Sequence, residues 1–227
     1  MTAQLEDNRK LWEQRYRQGQ GRISYPFDEV VGFMLSRYPA DRRPQTTVLD
    51  FGCGPGNHLW FFAESGFDAS GVDSSETAVG LAREAVARVQ QDFDPAKIKV
   101  SGDDGLPFDD DMFDVVIDRS SLGQNRAADI PGLVAEIHRV LKPGGTYFGI
   151  NFSDHHPHLD HGHNYGSGDF GDFESGKFKG IGVRHFFSVA EIFDLFSDFD
   201  IEDIRVLDSR SLFEKGSNQQ FVVVANK

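Results

Sequence analysis

The stretch from Val48 to His58 constrains the fold of this chain more than any other feature of its sequence. A short apolar and β-branched run leads into an aspartate, and an apolar run typical of a buried helix follows the stretch. Between them three glycines stand at alternate positions, Gly52, Gly54 and Gly56. Glycines let the backbone approach a ligand closely, and free N–H groups at a helix start point at whatever is bound. The stretch therefore predicts a strand, a tight loop and a helix that together hold a nucleotide-like ligand.

Strand and helix signals alternate from Val48 onward. Phe67 to Val72, Ile98 to Val100 and Phe113 to Asp118 read as strands, and Ser75 to Gln91 and Pro131 to Leu141 read as helices. This alternation predicts a mostly parallel sheet with helices on both faces. Residues 199–207 and 219–225 predict a closing hairpin, joined by a loop over 208–217. A chain of 227 residues is long enough for one α/β domain with a full core.

Composition and charge narrow the possible partners and location. The formal net charge of −13 repels phosphate backbones, and no basic patch offsets it, so we expect no nucleic-acid partner. No apolar run is long enough to span a bilayer, and Met1 to Lys10 lack a signal-peptide core, so we expect a cytoplasmic protein. The lone Cys53 excludes an intrachain disulfide and a thiolate metal cluster.

The glycine spacing separates two kinds of nucleotide site. A dinucleotide fingerprint would need glycine where Asn57 stands, whereas this loop reads Asp-x-Gly-x-Gly-x-Gly. Later segments add Asp73 at the end of the second strand, the run 102–108 (Gly-Asp-Asp-Gly-Leu-Pro-Phe), and the turn 141–145 (Leu-Lys-Pro-Gly-Gly). In this order, over roughly residues 45–152, the chain resembles the class I S-adenosylmethionine (SAM) dependent methyltransferases, within their small-molecule group.

The resemblance implies a fold and a domain plan. The fold would be a Rossmann-like α/β sheet of seven strands in the order 3-2-1-4-5-7-6, with the last strand antiparallel and helices on both faces. We expect residues 1–227 to form a single domain with four parts. These are an N-terminal helical lid (1–44), a SAM-binding core (45–152), a His- and Gly-rich capping insertion after strand 5 (153–187), and a C-terminal helix and hairpin (188–227).

The resemblance also implies a set of cofactor contacts. A carboxylate at the end of the second strand can accept both ribose hydroxyls, which predicts this role for Asp73. By the resemblance, the Asp103 side chain and the Asp104 backbone would hold the adenine amino group, and Arg15 or Tyr25 would reach the cofactor carboxylate. The predicted SAM-binding residues are Asp50, Gly52, Cys53, Gly54, Gly56, Asn57, Asp73, Ser74, Asp103, Asp104, Asp118, Arg119, Arg15 and Tyr25.

The segment after the fifth strand breaks the alternation. Residues 154–163 carry five of the eight histidines and show neither helical nor strand periodicity. Long loops of this kind are usually functional or disordered. Three interpretations remain open: a zinc site, a substrate-capping loop whose histidines act as base or hydrogen-bond donor, and a mobile surface loop. We favour the capping loop, with His155, His156, His185 and Asp118 as candidate catalytic residues and no resident metal.

Three further segments resemble methyltransferases from bacterial surface-glycan gene clusters. They are Trp-x-x-Arg-Tyr at 12–16, Gly-Asn-His-Leu-Trp at 56–60, and Val-Ile-Asp-Arg-Ser-Ser at 116–121. The resemblance implies an enzyme that transfers a methyl group from SAM to a small-molecule or sugar acceptor, most plainly to a hydroxyl. Two alternatives stay open: a SAM-binding subunit or sensor without catalysis, and an NAD(P)-dependent oxidoreductase. The sequence does not indicate the acceptor or the oligomeric state.

Overall fold

The computed structural model describes residues 8–102, 105–210 and 217–227. The chain divides into two compact units. We call residues 12–117 and 139–146 the glycine-loop unit. The described residues among 8–11, 118–138 and 147–227 form the second, which we call the insertion unit. The segments Phe113–Arg119 and Leu141–Phe152 each contribute residues to both units.

Six α-helices and ten strands are described along the chain. The helices are α1 Asn8–Arg17, α2 Asp28–Arg37, α3 Asn57–Glu64, α4 Glu76–Ala87, α5 Ile130–Val140 and α6 Val189–Leu195. The strands are β1 Thr47–Phe51, β2 Asp68–Asp73, β3 Ile98–Val100, β4 Phe113–Arg119, β5 Leu141–Phe152, β6 His163–Gly166, β7 Asp169–Gly171, β8 Arg184–His185, β9 Asp200–Arg210 and β10 Ser217–Asn226. None of the described helices combines the length and apolar character needed to cross a bilayer.

The main sheet has seven strands in the order β3-β2-β1-β4-β5-β10-β9. Counting only the strands of this sheet, the order is 3-2-1-4-5-7-6, as predicted. β1 pairs parallel with β2, and β2 pairs parallel with β3, whereas β10 runs antiparallel to β9. β1 and β4 are almost fully buried, which explains why both read as nearly continuous apolar runs. The predicted Rossmann-like α/β fold is confirmed.

Local sequence signals set the ends of several helices. Ser75 is the N-cap of α4, and its hydroxyl accepts a hydrogen bond from the Ala78 amide. Ser188 and Glu191 form a reciprocal capping box at the start of α6. The closing hairpin is longer than predicted, because β9 runs to Arg210 and β10 begins at Ser217. Part of the predicted 208–217 loop is therefore strand, and residues 211–216 lie outside the described ranges.

The segment 153–187, predicted as a His- and Gly-rich capping insertion after strand 5, contains regular secondary structure. It contains a 3-10 helix, Pro157–His161, and the strands β6, β7 and β8, which form a separate three-stranded sheet. Four phenylalanines bury themselves together in one cluster: Phe152, Phe173, Phe178 and Phe186. Their irregular spacing hid this core, because residues that meet only through the tertiary fold need not recur at a helical or strand period. We refer to 153–187 as the insertion.

Candidate functional site

The glycine loop has the backbone geometry that its sequence predicted. Gly52, Gly54 and Gly56 have φ values of +68°, +51° and +84°, in the left-handed region that favours glycine. A Cβ added at Gly56 would lie 2.7 Å from the Cα of Ala82. The loop therefore needs glycine at this position both to turn and to pack against α4.

The Asp73 carboxylate lies directly against this loop. Its Oδ2 accepts a hydrogen bond from the Gly54 amide at 2.9 Å, and its Oδ1 accepts one from the Ser75 amide at 2.9 Å. Burial, with smaller contributions from the negative charges of Asp50 and Glu13, raises the pKa of Asp73 to about 6 despite these two bonds. Each oxygen keeps a second lone pair, so the carboxylate can still accept hydroxyl donors from a ligand.

Glu13 of α1 binds the start of α4, next to Asp73. Its carboxylate accepts hydrogen bonds from the Ser75 hydroxyl at 2.5 Å, the Thr77 hydroxyl at 2.7 Å and the Thr77 amide at 3.1 Å. The bond from Ser75 is the main cause that lowers the pKa of Glu13 to about 2. Sequence reasoning missed this residue, because its partners lie more than 60 positions away and leave no local pattern.

Tyr16 stands over the loop from the same helix. Its side chain is buried, and its hydroxyl oxygen would lie 3.0 Å from a Cβ placed on Gly54. Burial and the nearby Asp73 carboxylate raise the pKa of the phenol, so Tyr16 is neutral at physiological pH. Helix α1 thus contributes a carboxylate and a phenol beside the loop.

Replacing Glu13 with alanine is expected to loosen α1. The variant loses hydrogen bonds to a charged acceptor, each worth roughly 1.5–3 kcal/mol, so amide hydrogen exchange within α1 should accelerate by roughly 10- to 100-fold. Exchange measured by mass spectrometry over the helix tests this. Lys10→Ala, at an exposed position of the same helix, is the matched control and should leave exchange near the wild-type rate. Equal exchange in both variants would show that the Glu13 contacts do not hold the helix.

Three other predicted SAM-binding residues of the glycine-loop unit are Asp50, Asn57 and Tyr25. Asp50 is buried, with Oδ1 3.5 Å from Nδ1 of the buried His58. The Asn57 amide nitrogen donates to the Tyr25 carbonyl at 3.2 Å. The Tyr25 side chain is 76% exposed and packs edge-on against Trp60.

The remaining predicted SAM-binding residues of this unit lie in different environments. Cys53 is buried, and that burial, with smaller contributions from the Asp73 and Asp50 carboxylates, raises the pKa of its thiol well above the ordinary value. Ser74 is half-buried between Asp73 and the α4 cap. The Arg15 guanidinium lies 5.4 Å from the centre of the Trp12 ring. Asp103 and Asp104 lie outside the described residues.

Asp118, in the insertion unit, is the centre of a buried hydrogen-bond network. Its carboxylate accepts bonds from the Tyr147 hydroxyl at 2.9 Å, the Asn151 amide nitrogen at 2.6 Å and the Ser121 amide at 2.7 Å. Burial raises the pKa of Asp118, while these bonds act in the opposite direction. The network orders the chain at the end of β4. The catalytic and cofactor roles assigned to Asp118 from sequence stay predictions.

Arg119 follows Asp118 at the end of β4. Its Nη1 donates to the Ser120 hydroxyl at 2.7 Å, and its Nη2 lies 3.5 Å from Oε1 of Gln220. Ser120 has a φ of +61°, an unusual conformation for a residue with a side chain. Such backbone strain often marks functional positions, because the surrounding structure has to hold it in place.

The three candidate histidines have different environments. His155 is exposed, with Nδ1 2.7 Å from Oδ1 of Asp154. His156 is buried: its Nδ1 accepts from the His158 amide at 3.2 Å, and its Nε2 lies 3.1 Å from Oδ1 of Asn218. Burial, reinforced by the charge of Lys177, lowers the pKa of His156 to about 4. His156 is therefore neutral at pH 7, and both of its ring nitrogens already have partners.

His185 lies fully buried between two carboxylates. Its Nδ1 is 2.8 Å from Oδ1 of Asp169, and its Nε2 is 2.8 Å from Oε1 of Glu191. Burial by itself would lower the pKa of His185, but the two carboxylates outweigh it and raise the pKa to about 9. Asp169 also accepts hydrogen bonds from the Ala127 amide. At neutral pH the imidazolium therefore connects β8, β7 and α6, and it has no free nitrogen with which to accept a proton.

This arrangement predicts that stability falls as the solution becomes alkaline. The pKa of His185 rises on folding from 6.5 to about 9, so its stabilising contribution is full below pH 6.5 and disappears as the pH passes 9. The loss should reach about 3 kcal/mol. Urea unfolding at pH 6.5, 8 and 9.5 measures it. Glu191→Gln, which can still form the capping box, should flatten the dependence, and an unchanged slope in that variant would contradict the assignment.

No group of three or more His, Cys, Asp or Glu side chains is positioned to hold a metal ion among residues 8–102, 105–210 and 217–227. The six histidines of the insertion lie instead in aromatic, hydrogen-bonded or ion-pair contacts. His158 and His161, for example, stack with ring centres 5.2 Å apart.

The fold and the glycine loop define a class of protein: the seven-stranded α/β domains that bind a nucleoside at the carboxyl ends of their first two strands. The sequence of residues 48–145 matches the methyltransferase domain family. The matched segment is less than half of the chain, and the sheet has the strand order that the resemblance to the class I SAM-dependent methyltransferases implied. An uncharacterized methyltransferase from Synechocystis sp. is 34% identical over 105 residues, which cover 46% of each chain. The chain thus spans about half the length of this relative.

Solved structures show the same fold. A SAM-dependent methyltransferase from Methanosarcina mazei superposes with a TM-score of 0.64 at 24% identity, covering 89% of this chain and 98% of the other. The 1,6-didemethyltoxoflavin-N1-methyltransferase of Burkholderia thailandensis, solved with its substrate and S-adenosylhomocysteine, gives a TM-score of 0.60 at 18% identity. That comparison covers 100% of this chain and 93% of the other. At these identities the likeness establishes the fold.

Proposed function

We propose that this chain is a SAM-dependent methyltransferase acting on a hydroxyl of a small-molecule or sugar acceptor. The observation that carries the proposal is the Asp73 carboxylate, held against the amide of Gly54 within a three-glycine loop. A carboxylate there suits the ribose hydroxyls of an adenosine, and glycines leave room for the backbone to follow the ligand. The acidic surroundings, with Asp50 and Glu13 close enough to affect the pKa of Asp73, suit the positive sulfonium of SAM.

The site residues fit SAM in a second respect. Oδ2 of Asp50 is buried and has no hydrogen-bond partner among the described residues, so a polar ligand group can satisfy it. In this proposal, Asp73 holds the ribose, the glycine loop lies along the amino-acid part, and Asp103 and Asp104 receive the adenine. Tyr16 and Glu13 close the site from α1 and exclude water, which favours transfer to the acceptor over side reactions.

When bound, SAM supplies a methyl carbon activated by its sulfonium. The protein has to align the acceptor oxygen with that carbon and accept the hydroxyl proton. Of the three candidate histidines, His155 best suits the role of base. Asp154 can hold a proton on its Nδ1 and leave Nε2 as the acceptor, and the ring is exposed. His156 has both nitrogens occupied, and His185 is already protonated.

Incubation with labelled SAM and a panel of sugars, thiols, amines and carboxylic acids tests the proposed function. We expect transfer to at least one hydroxyl-bearing acceptor, with S-adenosylhomocysteine as the second product. Tight SAM binding without transfer to any acceptor would favour a SAM-binding subunit or sensor instead. Saturable NADH binding without SAM binding would point to an oxidoreductase. A cytoplasmic location and the absence of a nucleic-acid partner stay predictions.

A further inference from the structure

A group of positive side chains in the insertion unit is not explained by cofactor binding. Arg119 ends β4, Arg184 lies on β8, and Lys177 lies between them in sequence, within the insertion. We call these three residues the cationic cluster. In a chain with a formal net charge of −13, a local concentration of positive charge is an exception to the overall field.

Shared aromatic faces hold two members of the cluster together. The Lys177 ammonium lies 4.3 Å from the ring centre of Phe152 and 4.9 Å from that of Phe178. The Arg184 guanidinium lies 5.4 Å and 5.0 Å from the same two rings. Each cation gains from the rings, yet two like charges over the same pair of rings repel each other. An anion bound next to the two cations would reduce that repulsion.

The charges of the cluster affect one another. The pKa of Lys177 is lowered to about 8, first by desolvation of its ammonium and then by the positive charges of Arg184 and Arg119. Within the described part of the chain, the Lys177 ammonium contacts the two aromatic rings and donates to an amide oxygen, that of Asn218, rather than to a carboxylate. Its charge is thus left for a ligand to neutralise.

Strand β10 lines the cluster with amide side chains. Asn218 accepts from Lys177, and Gln220 lies against Arg119, so these alternate residues share one face of the strand. Gln220 is 4% exposed, and among the described residues its Nε2 has no hydrogen-bond acceptor. A buried amide donor without an acceptor is costly, and the oxygen of a bound ligand would satisfy it.

Access to the cluster runs from solvent inward. Lys177 is exposed, Arg119 is half-buried, and Arg184 is 6% exposed. Arg119 also stands at the carboxyl end of β4, the edge at which sheets of this class bind their ligands. An acceptor that enters from solvent would therefore contact the Lys177 ammonium first. It would then reach the Arg119 guanidinium and the Gln220 amide donor.

From these contacts we propose that the cationic cluster, with Asn218 and Gln220, is the subsite that binds an oxyanion of the acceptor, a carboxylate or a phosphate. The acceptor would thus be an acidic molecule, such as a sugar acid or a sugar phosphate, whose charged group the cluster would hold. This inference rests on the proposed function in one respect: it takes the bound oxyanion to be part of the methyl acceptor. The anion site itself can be tested without SAM.

Competitive acetylation of the full chain with N-hydroxysuccinimidyl acetate at pH 8 tests the site. With a pKa of about 8, Lys177 has roughly 100 times more free amine than an ordinary lysine, so it should react faster than the exposed Lys179. Inorganic phosphate or acetate should slow Lys177 several-fold relative to chloride at equal ionic strength and leave Lys179 unchanged. Protection by phosphate alone indicates a phosphate-bearing acceptor, and protection by acetate alone a carboxylate-bearing one.

Two results would overturn the inference. One is that neither anion slows Lys177 more than it slows Lys179. The other is full protection in a folded Arg119→Gln variant, because the proposal predicts that loss of this guanidinium removes most of it. Circular dichroism of the variant establishes that it is folded. The labelling needs no SAM, so the two proposals can fail separately. Selective protection of Lys177 without any SAM binding would support the anion site and contradict the proposed function.

Discussion

Replacing Asp73 with asparagine is expected to weaken SAM binding by roughly 10- to 100-fold, the equivalent of about 1.5–3 kcal/mol for hydrogen bonds to a charged acceptor. The change keeps the shape of the side chain, and its remaining oxygen can still accept one loop amide. It removes the charge and one acceptor that the ribose hydroxyls would use. Calorimetric titration with SAM and with S-adenosylhomocysteine measures the loss for both ligands.

The same carboxylate should make cofactor affinity depend on pH. The pKa of Asp73 is about 6 in the ligand-free protein, and ligand hydroxyls donate to the ionised form. Affinity should therefore be nearly constant above pH 7 and fall as the pH drops through 6, whereas in Asp73→Asn this step should be absent. Asp68→Asn at the other end of β2 is the matched control, since Asp68 pairs with Lys97. Equal affinity in all three proteins would refute the assignment of Asp73.

Replacing Gly56 with alanine is expected to destabilise the fold by about 2–5 kcal/mol. The new Cβ would lie 2.7 Å from the Cα and 3.0 Å from the Cβ of Ala82, so α4 would have to move. The φ of +84° adds the cost of a left-handed conformation that a side chain disfavours. The free energy of unfolding in urea measures the effect.

Gly80→Ala provides the control for this substitution. Gly80 lies on an exposed position of α4, and an added Cβ would meet nothing within 4 Å. Alanine should stabilise the helix there by up to about 1 kcal/mol, because glycine is the poorer helix former. A Gly56→Ala variant as stable as Gly80→Ala would mean that the loop can move away from α4. The role of Gly56 in setting the loop would then be lost.

Local patterns in the sequence were enough to predict the sheet and the loop. The alternation of strand and helix signals predicted a mostly parallel sheet, and the resemblance to class I methyltransferases implied its seven-stranded order. The glycines indicated the tight loop, which turns through left-handed conformations at Gly52, Gly54 and Gly56. The N-cap of α4 is Ser75, a residue type that is strongly preferred at this position. These features depend on residues close together in the chain, where propensity and period are informative.

The side-chain partners could not be predicted in the same way. Glu13 reaches Ser75 across 62 positions, and the partners of His185 come from β7 and α6. His155, His156 and His185 were all predicted as candidate bases, yet they differ in exposure, partners and charge. A histidine takes its properties from neighbours that only the fold supplies, so composition identified the right segment without assigning the roles.

The His185 imidazolium has a mechanical consequence for the insertion. It is an internal counter-ion for Asp169 and Glu191, and Asp169 also accepts a hydrogen bond from the Ala127 amide. These contacts join β7, β8, α6 and the chain at Ala127 at one point. We therefore expect residues 169–191 to keep one backbone conformation at neutral pH rather than to open and close over a ligand. A change in the acceptors that this unit binds would then require substitution of individual side chains, because the backbone would stay in place.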